Sequence, residues 1–89
     1  MELLNYSEIW VGELTDELLN ERQDICKCEL CRLDIQAMAL NQLKPNYVVS
    51  EHGRIYTKTK MLGQQNRADI VAQVTKAIEQ VSRRPHHLP

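Results

Sequence analysis

Residues 26–45 read CKCELCRLDIQAMALNQLKP, and this stretch carries most of the information about the fold. Many apolar residues follow the cysteines, and we expect a helix over about Glu29–Leu43. Pro45 ends it, because proline cannot continue a helix and disfavours helical backbone at the residue before it. Little polar face remains on this helix, so most of its sides should be buried. We expect a second copy of the chain to help cover it, with Ala37, Met38 or Leu40 approaching the subunit interface.

Two further helices are predicted, one on each side of this segment. Before it, apolar residues recur every three or four positions, which is typical of an amphipathic helix with one buried face. Asn5 or Ser7 can cap its start. The same period holds near the end of the chain, up to Pro85. The predicted spans are Tyr6–Arg22 for the first of these helices and Lys60 or Gln64 to Arg83 for the last.

Between the second and third helices lie two short β-rich runs, Tyr47–Val49 and Arg54–Thr57. Residues 50–53 separate them and include a glycine, so a short hairpin is one interpretation and an ordered extended loop is the other. The predicted fold class is therefore mainly α: a small helical domain of three to four helices with an extended or short hairpin segment. We expect one domain over residues 1–84 and a flexible tail over residues 85–89.

A domain of only 89 residues is expected to have a low free energy of unfolding. A chain of this size buries only about 60–65% of its unfolded surface, so burial and conformational entropy nearly cancel. A metal ion or a partner subunit would supply the missing stability. The expected state is a zinc-stabilised homodimer.

Charge and hydropathy exclude several classes of protein. The net charge of −1 is too small for a general duplex-DNA binder. No apolar run is long enough to span a membrane, and residues 1–6 have no basic region of the kind that begins a signal peptide, so we expect a cytoplasmic protein. Residues 1–34 contain nine acidic and three basic residues, and residues 35–89 contain three acidic and eight basic ones. The basic half can attract an anion, or it can lie against the acidic helix of the same chain or of a dimer mate.

The three cysteines, Cys26, Cys28 and Cys31, lie within six residues. In a cytoplasmic chain such a cluster favours metal binding over a disulfide framework, and three thiolates favour zinc. Redox or sensor thiols and plain buried cysteines are the alternatives. We expect the dipole of the second helix to lower the pKa of Cys31, which would lie in its first turn.

A closed structural zinc site needs a fourth ligand, which the spacing does not identify. A water molecule or a dimer mate can supply it. No glycine-rich nucleophile elbow or phosphate loop is present in the sequence, so we do not expect an enzyme. The candidates for the fourth ligand within the chain are His52, His86, His87, Asp24 and Asp34.

The run from Cys26 to Val48 resembles the signature of the late competence development protein ComFB family. The cysteine cluster is followed by Asp34-Ile35, then by Ala39-Leu40-Asn41, and then by Pro45-Asn-Tyr47. Upstream, Asn5-Tyr6-Ser-Glu8-Ile-Trp-Val11 is similar to the family's first helix, and the likeness covers about residues 5–81. It implies a small, mainly helical homodimer that binds zinc through the cysteines. Related domains are receptors for cyclic di-nucleotides, cyclic di-GMP among them.

A cyclic di-nucleotide receptor needs cations for two phosphates, and planar groups and polar edges for two purines. An arginine–aspartate pair can read the edge of a guanine, and a two-fold ligand suits a dimer. The alternative is that the lysines form a solvated loop and the tyrosines cap the core. Two functions are therefore expected. In the first, the protein is a zinc-binding homodimeric receptor for cyclic di-GMP or cyclic di-AMP that signals to a protein partner. In the second, it is a protein–protein adaptor linked to the competence operon that binds no small ligand. The candidate ligand residues are Tyr47, Arg54, Tyr56, Lys58, Arg67 and Asp69, with Lys44 and Lys60 beside them.

Overall fold

Residues 1–51, 54–55 and 64–84 are described by the structure, which is a computed structural model of the chain. The N-terminus lies beside the middle of the chain, because β1 pairs with β2. The elements are β1 (Glu2–Asn5), α1 (Tyr6–Asn20), α2 (Glu29–Leu40), β2 (Tyr47–Glu51), β3 (Arg54–Ile55) and α3 (Gln64–Arg83).

The three helices pack against one another around a single apolar core. In α3 the buried positions follow the helical period, because a helix that covers a core buries one stripe of side chains. Val48 of β2 is also buried. The core cluster consists of Val11, Leu14, Leu19, Cys31, Ile35, Ala39, Ile70, Val74, Ala77, Ile78 and Val81.

The extended segment after α2 is a hairpin, and it belongs to a three-stranded antiparallel sheet in the order β1-β2-β3. β1 pairs with β2 in the register Leu4↔Val48, and β2 pairs with β3 in the register Glu51↔Arg54. The fold is mainly helical, as predicted, but it is not all-α. The β1 strand was missed because its sequence, ELLN, has no β-branched or aromatic residue and its partner lies more than forty positions away.

Two helices end earlier than their periodicity predicts. We predicted α1 to reach Arg22 and α2 to reach Leu43, and they end at Asn20 and Leu40. The reason is the same in both. The N–H of Arg22 donates to the carbonyl of Leu19, and that of Leu43 donates to the carbonyl of Leu40, so the last turn tightens to a three-residue spacing.

The start of α1 is joined to the start of β2 by polar contacts. Asn5 is the N-cap of α1, and its Oδ1 accepts from the N–H of Ser7 at 3.2 Å and from the N–H of Asn46 at 2.8 Å. The N–H of Tyr6 donates to the carbonyl of Asn46 at 2.7 Å. The hydroxyl of Ser7, predicted as the other possible cap, donates instead to the carbonyl of Lys44 at 3.0 Å.

One face of α2 is not covered within a single chain. Leu30 and Leu33 are 44% and 53% exposed, and Ala37, one turn further on, is also exposed. We call these three residues the exposed α2 face. Met38 and Leu40, which we expected near a subunit interface, are half-buried and pack against the core of their own chain. Within one chain, α2 is therefore less buried than we predicted.

Within the described residues, no helix combines the length and apolar composition that crossing a lipid bilayer requires.

Gly12 offers a test of the first helix. It lies within α1, and a Cβ at this position would meet no other atom within 4 Å. Because glycine is a poorer helix former than alanine, we expect Gly12→Ala to raise the free energy of unfolding by about 0.5–1 kcal/mol. Urea denaturation followed by circular dichroism measures this. An unchanged or lower denaturation midpoint would contradict the expectation that the added methyl group changes only the helix propensity at this position.

Candidate functional site

The three cysteine side chains converge at the start of α2. Their sulfur atoms all lie within 4.8 Å of one another. Cys31 is buried, Cys26 is half-buried and Cys28 is exposed. Within the described part of the chain these side chains form no disulfide, and the cluster could hold a metal ion.

Helix α2 positions two of the three sulfurs. Cys28 is the N-cap residue, and its Sγ accepts from the N–H of Cys31 at 3.4 Å. A thiol thus occupies the place where a hydroxyl or carboxylate usually caps a helix. Glu29 follows in the first turn, where an acid interacts favourably with the helix dipole. The capping turn brings the two sulfurs of the Cys-x-x-Cys pair to the same side of the helix end.

Cys26 comes from the connector between α1 and α2, which we define as residues 21–28. This segment has no regular secondary structure, although Ile25 and Cys26 pack against the core. Arg22 makes two hydrogen bonds to Asp24, from Nε to Oδ1 at 3.2 Å and from Nη2 to Oδ2 at 3.3 Å. Its Nη1 donates to Oε1 of Glu79 on α3 at 3.3 Å. The connector is therefore attached to α3 through Arg22, four residues before Cys26.

The donor set fits zinc. Zinc–thiolate bonds measure about 2.3 Å, so sulfurs that share a tetrahedral zinc ion lie about 3.8 Å apart. The sulfurs of Cys26, Cys28 and Cys31 already lie within 4.8 Å, so small side-chain rotations bring them to coordination distance. Three soft thiolates select zinc over the hard cations calcium and magnesium.

The pKa of Cys31 differs from our expectation. We predicted that the helix dipole lowers it, whereas burial raises the pKa of Cys31 to about 12, with further contributions from hydrogen bonds with Cys28 and Cys26. Removal of the side chain from water disfavours the thiolate more than the end of α2 stabilises it. Cys31 is therefore a neutral thiol at pH 7 in the metal-free protein, and a metal ion must displace its proton.

The fourth ligand of the cluster is not identified by the structure. Both carboxylate oxygens of Asp24 accept hydrogen bonds from Arg22, which hold its pKa below the usual value. Among the described residues, the cluster of potential ligands contains the three cysteines and not Asp34. His52, His86 and His87 lie outside the described residues. The fourth position stays a prediction.

A groove of about 480 Å³ opens where the start of α1, the segment after α2 and the start of α3 meet. Trp10 contributes an aromatic side chain, Lys44 a cation and Asp69 a carboxylate. The hydrogen bonds of Asn5, Tyr6 and Ser7 to residues 44–46 fix one wall of it. The residues that line the groove are Ser7, Trp10, Gln42, Leu43, Lys44, Pro45, Asn46, Asp69 and Ile70.

Only part of the predicted ligand set meets at this groove. Asp69 lines it, whereas Tyr47, which is 61% exposed at the start of β2, and the exposed Arg67 are not among its described lining residues. Three other predicted ligand residues cannot be placed at the groove. Tyr56 and Lys58 lie outside the described residues, and so does the side chain of Arg54. Trp10 and Asn46 line the groove but were not among the predicted ligand residues. Local spacing could not identify either one, because the groove lies between segments that are far apart in the sequence.

Comparisons with known proteins agree with this architecture. The family model described as "Late competence development protein ComFB" matches residues 4–85. The chain is 29% identical over 86 residues to the competence protein ComFB of Bacillus subtilis (strain 168), an alignment that covers 97% of this chain and 88% of that protein. A solved structure of the late competence protein ComFB from Bacillus subtilis superimposes with a TM-score of 0.73 at 29% identity, covering 94% of each chain. The chain therefore belongs to the ComFB family of late competence development proteins.

Proposed function

We propose that this chain is a non-enzymatic regulatory protein that acts as a zinc-stabilised homodimer. In this proposal it binds a cyclic di-nucleotide, cyclic di-GMP or cyclic di-AMP, in the cytoplasm and transmits the bound state to a protein partner. The observation that carries the ligand-binding part is the groove between α1 and α3.

The zinc part of the proposal is supported by the converging thiols. Cys26, Cys28 and Cys31 supply three soft ligands from two segments, the connector and α2. A metal ion that bridges these segments would stabilise a short chain with a small core, because part of the binding free energy of a structural zinc ion is folding free energy. No catalytic role is assigned to the metal.

The homodimer is supported by the exposed α2 face. Leu30, Leu33 and Ala37 follow one another at spacings of three and four residues along one side of α2. Such a stripe packs well against a second helix. In a two-fold dimer the same stripe of each subunit would meet its copy, so both apolar faces would be covered at once.

The cyclic di-nucleotide is supported by the chemistry of the groove. The face of Trp10 can stack on a purine, as aromatic side chains commonly do in nucleotide sites. Lys44 can neutralise a phosphate, and Asp69 can accept hydrogen bonds from the N1 and N2 groups of a guanine. Arg67 is an exposed cation two residues before Asp69 in the same helix, although the described lining of the groove does not include it.

A thermal shift experiment tests the ligand directly. A ligand present at about a hundred times its Kd stabilises the folded state by about 2.7 kcal/mol, which is a large shift for a domain of this size. We expect cyclic di-GMP or cyclic di-AMP to raise the melting temperature of the zinc-loaded protein, with GMP and AMP as monomeric controls. If saturating amounts of both cyclic ligands leave the melting temperature unchanged and produce no heat in calorimetry, the receptor function is excluded.

Arg67→Ala should weaken the binding of cyclic di-GMP. Arginine binds phosphate or a guanine edge through two parallel hydrogen bonds, so its loss should cost about 1–3 kcal/mol, or about 5- to 150-fold in Kd. Lys76→Ala is the control, because Lys76 is also an exposed cation on α3 but lies seven residues, about two helical turns, beyond Asp69. Isothermal titration beside a melting curve separates binding from folding. Equal affinities for the two variants would remove Arg67 from the site.

The adaptor function is a second candidate, favoured by the outer face of the sheet. Leu3 and Tyr47 are 71% and 61% exposed, and the register of β1 and β2 places them on the same face as Val49. Exposed apolar side chains that share a surface are typical of protein contact sites. In this case the protein would contact others in the competence machinery and bind no small ligand. Leu3→Glu would then abolish partner binding without changing the melting temperature of the protein.

A further inference from the structure

We propose that Arg22 is a positioning residue for the metal site: by fastening the connector to α3, it holds Cys26 ready for coordination. The inference rests on the proposed zinc site. It concerns how this chain prepares that site, and it makes metal affinity depend on a side chain that is not itself a ligand.

The three sulfurs are not equally constrained by the fold. Cys28 and Cys31 are fixed by the first turn of α2, where one caps the helix and the other donates to that cap. Cys26 lies on the connector, which has no regular secondary structure. A ligand on an irregular segment must lose conformational freedom when it binds, and this loss lowers the affinity unless other contacts have already ordered the segment.

The guanidinium group of Arg22 supplies contacts of this kind, both within the connector and to α3. The fork formed with Asp24 joins two positions within the connector, at 3.2 Å and 3.3 Å. The third nitrogen reaches Glu79, which is 57 residues away in sequence and belongs to α3. The N–H of Arg22 also donates to Leu19 at the end of α1, at 3.0 Å. One residue therefore joins α1, the connector and α3.

This geometry predicts that changes at Arg22 affect zinc affinity more than the stability of the metal-free protein. The side chains of Arg22, Asp24 and Glu79 are all at least one-third exposed, and exposed ion pairs contribute little to global stability. Their effect should fall on the position of the connector. Lysine keeps the charge but cannot make the two parallel hydrogen bonds, so Arg22→Lys removes the geometry alone.

The test measures zinc affinity and metal-free stability in the same set of proteins. The variants are Arg22→Lys and Glu79→Gln, with Arg83→Lys as a control at an exposed arginine of α3. Zinc affinity is measured by competition with a chromophoric chelator, ligand geometry by the absorption bands of bound Co²⁺, and metal-free stability by melting curves in the presence of chelator. We expect Arg22→Lys to weaken zinc binding about 3- to 10-fold, Glu79→Gln to do so less, and Arg83→Lys to have no effect.

The melting temperature of the metal-free Arg22→Lys protein should stay close to that of the wild type. Wild-type zinc affinity in Arg22→Lys would overturn the inference, and so would a loss of affinity accompanied by an equal loss of metal-free stability, because Arg22 would then be only structural. If the wild-type protein itself bound neither Zn²⁺ nor Co²⁺, the metal site would be excluded and this role of Arg22 with it.

Discussion

Replacement of Cys28 by serine is expected to abolish most zinc binding while leaving the metal-free fold intact. Cys28 caps α2 through its Sγ and is exposed, and serine is among the best N-cap residues. The variant therefore keeps the cap and loses one thiolate ligand. With zinc at about a thousand times its Kd, the bound ion stabilises the folded state by about 4 kcal/mol, so its loss should lower the melting temperature by roughly 15–30 °C.

Melting curves with and without chelator separate the two roles of Cys28. With chelator present, wild type and Cys28→Ser should melt at nearly the same temperature. With zinc present, only the wild type should gain stability. Cys31→Ser is a less specific variant, because Cys31 is buried in the core and the new hydroxyl would also disturb packing. A Cys28→Ser protein that gains as much stability from zinc as the wild type would contradict the assignment of Cys28 as a ligand.

A charge on the exposed α2 face is expected to separate the subunits. Leu33 is 53% exposed in a single chain, so Leu33→Glu should not disturb the core of its own subunit. In the dimer the carboxylate would lie in an apolar contact and, by symmetry, occur twice. An unpaired charge in such a contact costs roughly 3–5 kcal/mol, so the dimer dissociation constant should rise by at least about a hundredfold.

Sedimentation equilibrium of the wild type and two variants tests this expectation. Leu3→Glu makes the same change at a leucine that is more exposed but lies on the sheet, far from α2 in the chain. We expect Leu33→Glu to be a folded monomer and Leu3→Glu to stay a dimer. If Leu3→Glu dissociated and Leu33→Glu did not, the interface would lie on the sheet and not on α2.

The helices were predictable from the sequence because their apolar residues repeat with the helical period. Ile70, Val74, Ile78 and Val81 establish this period for α3, and all four are buried. The ends of the helices were less predictable. Apolar residues such as Leu43 continue the pattern past the last regular turn, and the tightening of that turn depends on the hydrogen bonding of the backbone and not on side-chain type.

One part of the candidate site was predictable from the sequence and the other was not. The cysteine cluster could be found from local spacing, because Cys26, Cys28 and Cys31 are near in sequence. The helix cap brings the sulfurs of Cys28 and Cys31 together, and Cys26 is only two residues before the cap. The groove could not, because it depends on contacts between Asn5 and Asn46, which are separated by 41 positions. Arg22 was missed for the same reason, since its second partner lies on α3.

Native mass spectrometry of protein purified without chelator tests the central claim, that the chain is a zinc-stabilised homodimer, most directly. It reports the number of subunits and the number of bound metal ions in one spectrum. We predict a dimer that carries one zinc ion per subunit, and a loss of the zinc mass in Cys28→Ser. A metal-free monomer in the spectrum of the wild type, at concentrations where the protein is folded, would contradict the claim.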